Sequence, residues 1–381
     1  MDATQPTQPL EWHDSSTQVC TRCVMSTTDP DITFDAEGRC NHCTDYFARL
    51  SKLTYDEATS GPKLTAIVER IRAAGRGKEY DCVMGISGGI DSCYAVYVAK
   101  SLGLRPLAVH MDNGWDSDTA ARNIKHVTQT LGVDYQSVVL DWEEFRDLQL
   151  AFLRASVPEI ETPTDIAIPA TLHRVAADNG VKFILMGGNF ATEGILPRAW
   201  HYNAKDVRFL RAVQRRFGSG KLRTFPTFGF VKEISYKYVK GIRLVYVLNL
   251  VPYSKRDALT KLQELGWEYY GGKHHESTIT GFVQSYLLPV KFQIDYRRAT
   301  LSSQICAGEI SREEALEILR TPPFDASRVA EETVYVAKKF GISIEEMDAI
   351  LATPPRTHRD YPNNEKFLEF LYGAYRRYLI R

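Results

Sequence analysis

The residues able to do chemistry fall into a few short stretches. Gly85-Ile86-Ser87-Gly88-Gly89-Ile90-Asp91-Ser92 is the most informative. Paired glycines let a backbone approach an anion with no Cβ in the way, and Ser87 and Ser92 add hydroxyl donors. At the start of a helix such residues also gain the unpaired N–H groups and the positive dipole end of its first turn. The stretch therefore reads as a phosphate cradle. It lacks the Gly-Lys-Ser/Thr ending of a Walker A loop. Asp91 stands in the loop instead, where a carboxylate makes sense if it helps hold a metal ion that shields phosphate charge. The simpler alternative is a glycine-rich turn capped by Asp or Ser.

Cys20-x-x-Cys23 and Cys40-x-x-Cys43 form a second constellation, with sixteen residues between the pairs. Two thiolate pairs on turns can converge on a tetrahedral Zn²⁺, and this spacing is a zinc pattern. Four sulfurs fill the coordination shell, so the site is structural, His42 is not needed, and metal binding supplies folding energy to a segment too short for its own core. An iron–sulfur cluster or no metal are the alternatives. Cys82, Cys93 and Cys306 read as small buried apolar residues.

Three further segments carry polar chemistry. Met186-Gly187-Gly188-Asn189 precedes Thr192-Glu193-Gly194, again with two glycines where a strand's end meets a ligand. Asn189 and Glu193 are candidate substrate or metal contacts. Gly271-Gly272-Lys273-His274-His275-Glu276 offers a lysine for phosphate charge and side chains for proton transfer, with Lys273, His274 and Glu276 as candidates. Arg297 and Arg298 offer cations to a phosphorylated substrate.

The elements that must position these groups follow from pattern. Asp81–Ile86, Arg105–Met111, Asp134–Leu140 and Val181–Met186 read as strands. They alternate with helices near 91–102, 119–131, 142–155 and 165–179. Another helix precedes them at 61–75. Alternation of this kind implies βαβ units and a parallel sheet covered on both faces, with ligands at the strands' carboxyl ends. A basic amphipathic helix spans Asp206–Phe217, Tyr236–Val251 is apolar and β-branched, and helices dominate from 253 onward. Ser311 with Glu314 and Ser343 with Glu346 mark two helix starts as capping boxes. The expected organisation is a disordered tail over 1–18, a zinc ribbon over 19–50, an α/β domain over 55–235 and a mostly helical region over 236–381.

The totals exclude several classes. Lys+Arg and Asp+Glu balance at 47 each, whereas a dedicated nucleic-acid binder carries a basic excess. No apolar run approaches the ~20 residues needed to span a bilayer, and the polar N-terminus lacks a signal pattern. These features predict a cytoplasmic protein without membrane or nucleic-acid partners.

The hexapeptide Ser87-Gly88-Gly89-Ile90-Asp91-Ser92 resembles the SGGxDS motif of PP-loop ATP pyrophosphatases, an adenine nucleotide alpha hydrolase-like, Rossmann-like α/β fold. The resemblance covers about 80–190. It implies ATP cleavage between the α and β phosphates, with Gly85, Ser87, Gly88, Gly89, Ile90, Asp91 and Ser92 around pyrophosphate and Mg²⁺. It places Met111 and Asp112 beside adenine or ribose, and Gly187, Gly188 and Asn189 in the same nucleotide site. An ordinary turn at Asp112-Asn113-Gly114 is the alternative there.

The chain after residue 19 is similar to the N-acetyl sugar amidotransferase family. The motifs that carry this are Cys20-Thr21-Arg22-Cys23-Val24-Met25, the Cys40–Cys43 turn, the SGGIDS loop, Gly187–Gly194 and the GGKHHES and DYRRATLSSQICAG stretches. Ile90 stands where that family's loop often has lysine. The resemblance implies conversion of a sugar acetamido group to an acetamidino group on a nucleotide-sugar, in lipopolysaccharide or O-antigen synthesis. An O-adenylyl imidate would form with release of pyrophosphate, Lys273 assisting at the α-phosphate. No glutaminase elbow is visible, so ammonia would come from a separate glutaminase subunit. Two other readings remain open: a tRNA-thiolation enzyme, which needs a catalytic cysteine, and a nucleotide-sensing adaptor.

Overall fold

The computed structural model describes residues 17–269 and 276–379. Most of the expected N-terminal tail, together with Lys273 and His274, lies outside the described residues. Five strands form one sheet: β1 (Cys82–Gly85), β2 (Pro106–Asp112), β3 (Asp134–Val139), β4 (Phe183–Met186) and β5 (Arg243–Tyr246). Their order is β3-β2-β1-β4-β5, and every neighbouring pair is parallel. The helices between them are α3 (Ile90–Ser101), α4 (Asp118–Leu131), α5 (Trp142–Ala155), α6 (Thr162–Asp178), α7 (Phe190–Glu193), α8 (Val207–Phe217) and α9 (Phe230–Ile234). Ahead of the sheet run α1 (Asn41–Leu53) and α2 (Glu57–Ala74). After it come α10 (Lys255–Glu264), α11 (Thr278–Phe282), α12 (Leu288–Phe292), α13 (Tyr296–Ala307), α14 (Arg312–Arg320), α15 (Ala326–Phe340), α16 (Ile344–Ala352) and α17 (Glu365–Leu379).

The central strands are apolar throughout because both faces are covered. Alternate residues go to opposite layers. Cys82 and Met84 of β1, Ala108 of β2 and Phe183 and Leu185 of β4 pack with α3. Val83, Leu107, Val109 and Ile184 pack with Leu172, Val175 and Ala176 of α6. The edge strand β3 is largely exposed, with Tyr135 and Val139 facing outward.

The structure extends the pattern read from sequence at three places. The apolar 236–251 stretch supplies β5, which pairs with β4 beyond residue 235. Downstream, Ala258 and Leu262 of α10 and then Trp267 join the α3 layer. Helix α6 starts at Thr162 rather than 165, which puts Glu161 at its N-cap. Ser311 and Glu314 do form a reciprocal capping box. Among the described residues no helix is long and apolar enough to cross a membrane.

Strand order sets the position of the site. The sheet reverses its winding between β1 and β4, and at such a switch point the loops diverge and leave a crevice beyond the strands' carboxyl ends. The loops that leave β1 and β4 there are 86–89 and 187–189.

Candidate functional site

A cavity of about 410 Å³ occupies this crevice, a size that suits a small-molecule ligand. Its floor is the 85–92 loop. Gly88 has φ +82°, and a Cβ there would lie 2.6 Å from the Ala120 carbonyl oxygen, so only glycine fits. Gly89 caps α3 with no side-chain bond to the first turn, which leaves those N–H groups for a ligand. The loop's hydroxyls brace it: the Ser87 N–H donates to Ser92 Oγ at 3.1 Å, and Ser92 Oγ donates to the Gly89 carbonyl at 3.1 Å. The Trp267 indole N–H donates to the Gly88 carbonyl at 2.9 Å. Ile90 roots the loop in the α3 layer and also touches the cavity.

Asp91 lies on the cavity wall and accepts a hydrogen bond from the Tyr253 hydroxyl. A Cβ on Gly187 would meet the Asp91 carbonyl oxygen and Ser92 Cα at 2.8 Å. The β4 loop is thus pressed against the start of α3 backbone to backbone, which explains Gly187. Gly187, Gly188, Glu193 and Met111 all line the cavity with Ser87 and Asp91.

Four sequence-derived candidates sit elsewhere. Asp112 Oδ1 accepts from the Gly114 N–H at 2.8 Å, the turn arrangement, and it faces a neighbouring depression on the outer side of β2. Asn189 Oδ1 caps α7 by accepting from the Thr192 N–H at 2.9 Å. Arg297 pairs with Asp295 at 2.7 Å and donates to the Thr321 carbonyl. Arg298 is buried and donates to the Val24 carbonyl at 2.9 Å. Neither arginine lines the cavity: Arg297 is held by Asp295 and the end of α14, and Arg298 by the cysteine turn. Arg298→Lys is expected to cost about 1–3 kcal/mol by leaving that buried carbonyl poorly satisfied. Urea melts should show the loss, with KM for substrate unchanged.

The wall opposite the phosphate loop holds Glu276, singled out in the sequence, together with residues that sequence reasoning passed over. Glu161, Thr164 and Asp165 come from the start of α6, Glu276, Thr280 and Gln284 from the α11 region, and Thr300 and Gln304 from α13. Neutral hydroxyls and amides predominate on the α11–α13 part. Glu161 Oε1 is buried with no hydrogen-bond partner. Burial, then the charges of Asp165 and Glu276, push its carboxyl up to about 8. The one available signal was the acidic Glu159-Ile160-Glu161 run before a Thr-Pro helix start. Among the described residues lining the cavity, six carboxyl side chains (Asp91, Asp116, Glu161, Asp165, Glu193, Glu276) face one lysine, Lys255, and one histidine, His110. A phosphorylated ligand therefore needs further cations, and the carboxylates suit a hard divalent ion.

The cysteine constellation is assembled as its spacing predicts. Cys20, Cys23, Cys40 and Cys43 are fully buried, and their ligand atoms lie within 4.8 Å of one another. Sγ–Sγ separations are 3.9 Å for Cys20–Cys43, 3.7 Å for Cys23–Cys40 and 3.6 Å for Cys40–Cys43. A tetrahedron with Zn–S near 2.3 Å has edges of about 3.8 Å, so the four sulfurs fit Zn²⁺. Backbone N–H groups of Cys23 and Cys40 point at Cys20 Sγ, as thiolates require. His42 turns away to Asp29 at 2.6 Å. Cys306, read from sequence as a plain core residue, lies with its Sγ 3.8 Å from that of Cys43. The cluster is clasped to the C-terminal region: Arg312 donates to the carbonyls of Cys20 and Cys23, and the Val24 N–H donates to Ser302 Oγ. Cys82 and Cys93 are buried. Burial raises the Cys82 thiol pKa and pushes that of Cys93 up to about 12, which makes both poor nucleophiles.

Comparison with known proteins adds to this geometry. Residues 276–375 match the family described as "LPS biosynthesis protein WbpG-like, C-terminal domain". A curated relative, "Probable mitochondrial tRNA-specific 2-thiouridylase 1" of Caenorhabditis elegans, is 27% identical over 148 residues, 34% of this chain and 38% of the relative. The match thus spans well under half of that protein's length. Among solved structures, the NMN synthetase of Francisella tularensis superposes with a TM-score of 0.28 at 13% identity, over 58% of this chain and 91% of that one. The NH3-dependent NAD synthetase of Campylobacter jejuni gives 0.29 at 12%, over 74% and 97%. Superpositions this loose decide nothing about activity. The family match begins at Glu276, so it takes in the α11 and α13 side chains that face the phosphate loop.

Proposed function

We propose that this chain, with its WbpG-like C-terminal region facing a PP-loop, is an ATP-dependent amidotransferase of lipopolysaccharide or O-antigen synthesis. It would convert the acetamido group of a nucleotide-activated sugar to an acetamidino group. The observation that carries this reading is the composition of the cavity. One wall is a glycine-rich cradle at a helix N-terminus. The facing wall, built by the lipopolysaccharide-family segment, offers Thr280, Gln284, Thr300 and Gln304, neutral groups suited to sugar hydroxyls.

An amide oxygen is a poor leaving group, so it must be activated before nitrogen can replace it. Attack of that oxygen on the α-phosphate of ATP gives an O-adenylyl imidate and expels pyrophosphate. Ammonia then adds to the imidate carbon and AMP leaves. The protein's share is placement and charge compensation. Ser87, Gly88, Gly89 and the first turn of α3 hold the β and γ phosphates. Asp91 and Glu193 would hold Mg²⁺, which supplies neutralisation of phosphate charge. Lys273 would approach the α-phosphate. Glu161 is suited to accept a proton from the incoming nitrogen, since burial keeps its carboxyl basic. Ammonia is assigned to a separate glutaminase subunit, and the zinc site is assigned a structural role.

The thiouridylase similarity favours a second reading, tRNA thiolation. The burial and raised pKa of Cys82 and Cys93 weigh against it. The experiment is pyrophosphate release from ATP and ammonium chloride with a panel of acetamido nucleotide-sugars and with bulk tRNA. Release with a nucleotide-sugar, and a product one mass unit lighter, is the expected result. Release with tRNA alone would move the assignment to nucleic-acid modification.

A further inference from the structure

We infer that His110 and Asp116 form an imidazolium–carboxylate clamp that fastens the α11 wall of the cavity to the phosphate loop, making His110 a positioning residue for the reaction. The clamp itself is read from geometry. Its catalytic consequence rests on the function proposed above.

His110 lies in β2 and is buried, and it touches the cavity beside Ser87. Its Nδ1 is 2.9 Å from the Ile86 carbonyl oxygen. A carbonyl only accepts, so Nδ1 carries a proton. Its Nε2 is 2.7 Å from Asp116 Oδ2, and one proton must lie between them. A carboxyl group is ordinarily a far stronger acid than an imidazolium, ~3.9 against ~6.5, so the proton belongs to the ring and both nitrogens donate. Burial alone would lower the ring's pKa, but the bond and charge of Asp116, the Ile86 carbonyl and the charge of Asp112 leave it raised.

Each end of this pair is attached to one wall. Ile86 is the residue that enters the loop, immediately before Ser87. Asp116 forms a bridge with Ser277, and its neighbours complete a short two-stranded patch. The Ser117 N–H donates to the Glu276 carbonyl and the Thr278 N–H to the Trp115 carbonyl, both at 2.9 Å. The Thr278 hydroxyl donates to Trp115 as well. Ser277 caps α11, and Glu276, Ser277 and Thr280 line the cavity. The pair therefore sets the distance between the phosphate cradle and the wall that would hold the acceptor, the quantity on which in-line attack depends most steeply.

The first test needs no turnover. Nitrogen-15 NMR of the imidazoles in wild-type protein at neutral pH should show the His110 ring, assigned by its loss in His110→Asn, with both nitrogens protonated; His358, set between Glu159 and Glu365, gives a second such ring that Asp116→Asn leaves in place. In Asp116→Asn the His110 signature should disappear, and the Ser117 and Thr278 amides should exchange with solvent on the order of tenfold faster. The raised ring pKa gives a sign. Protection is complete below ~6.5, the unfolded imidazole value, and is lost as pH rises through the folded value. This step should be absent in His110→Asn. The other titratable groups around the ring are Asp112, Tyr135 of β3, and the cavity carboxyls of Asp91 and Glu276, and the variant retains all of them. In turnover, His110→Asn should lower kcat by on the order of tenfold or more with a smaller change in KM for ATP. A neutral ring, or unchanged exchange at Ser117 and Thr278 in Asp116→Asn, would overturn the clamp. Failure of every nucleotide-sugar to react would sink the proposed function and leave the NMR and exchange results standing.

Discussion

Replacing Asp91 by alanine is expected to reduce ATP-dependent pyrophosphate release by at least about 10²-fold with the fold intact. The carboxylate sits on the first turn of α3, where it gains only ~0.3–1 kcal/mol from the helix dipole, so stability should barely change. Its electrostatic role is larger. The cavity already carries an excess of carboxylates, and ATP brings further negative charge. On the proposed function, cations must be held between ATP and these carboxylates, and Asp91 lies in the first turn of α3, on the cavity wall. Tyr253→Phe is the matched control. It removes the hydroxyl bonded to Asp91 but keeps the carboxylate, so the loss should be closer to tenfold and recoverable at higher Mg²⁺. Circular dichroism establishes folding, and a coupled pyrophosphate assay reads the rate. Undiminished release by Asp91→Ala would end the assignment of this loop to nucleotide cleavage.

Loss of the metal site should have an equally large effect, expressed through stability. Structural zinc in small sites contributes an apparent ~10–16 kcal/mol to local folding. Here the cluster also holds down the C-terminal region, since the carbonyls of Cys20, Cys23 and Val24 receive Arg312 and Arg298. Helix α13, held to Val24 through Arg298 and Ser302, carries Thr300 and Gln304 into the cavity. Cys40→Ser is therefore expected to release zinc and to lower stability by about 3 kcal/mol or more, a fall of roughly 4 °C or more in Tm. Activity should be lost along with it, although no cysteine lies on the cavity wall. Metal analysis, calorimetry and turnover together test this. A Cys40→Ser protein with unchanged Tm and full turnover would show that the cluster is not a structural metal site. Cys306→Ala should leave zinc stoichiometry unchanged, because four thiolates already complete the shell.

Local pattern determined much of this protein. The Gly-Gly loop, the paired cysteines and the run of apolar strands each carry their meaning in adjacent residues: a backbone that must approach an anion, four sulfurs on two turns, strands buried on both faces. The βαβ alternation was legible because periodicity depends on which face of an element is covered, and helix starts at Ser311 and Ser343 follow from side chains that satisfy nearby N–H groups.

Tertiary structure decided everything that depends on residues distant in sequence. Arg297 and Arg298 have the chemistry of phosphate ligands, yet Arg297 is held by Asp295 and the end of α14, and Arg298 by Val24 of the cysteine turn, 274 positions away. Asp112 closes its own turn, and Asn189 caps a helix, because a short polar side chain bonds the nearest free N–H before it can reach a ligand. Conversely, Glu161, Asp165, Thr280 and Gln304 come from three separate segments with no shared motif, and only the meeting of α6, α11 and α13 makes them one wall. The clamp between His110 and Asp116 was equally hidden. A histidine inside a strand is unremarkable until the fold shows that both its nitrogens face acceptors.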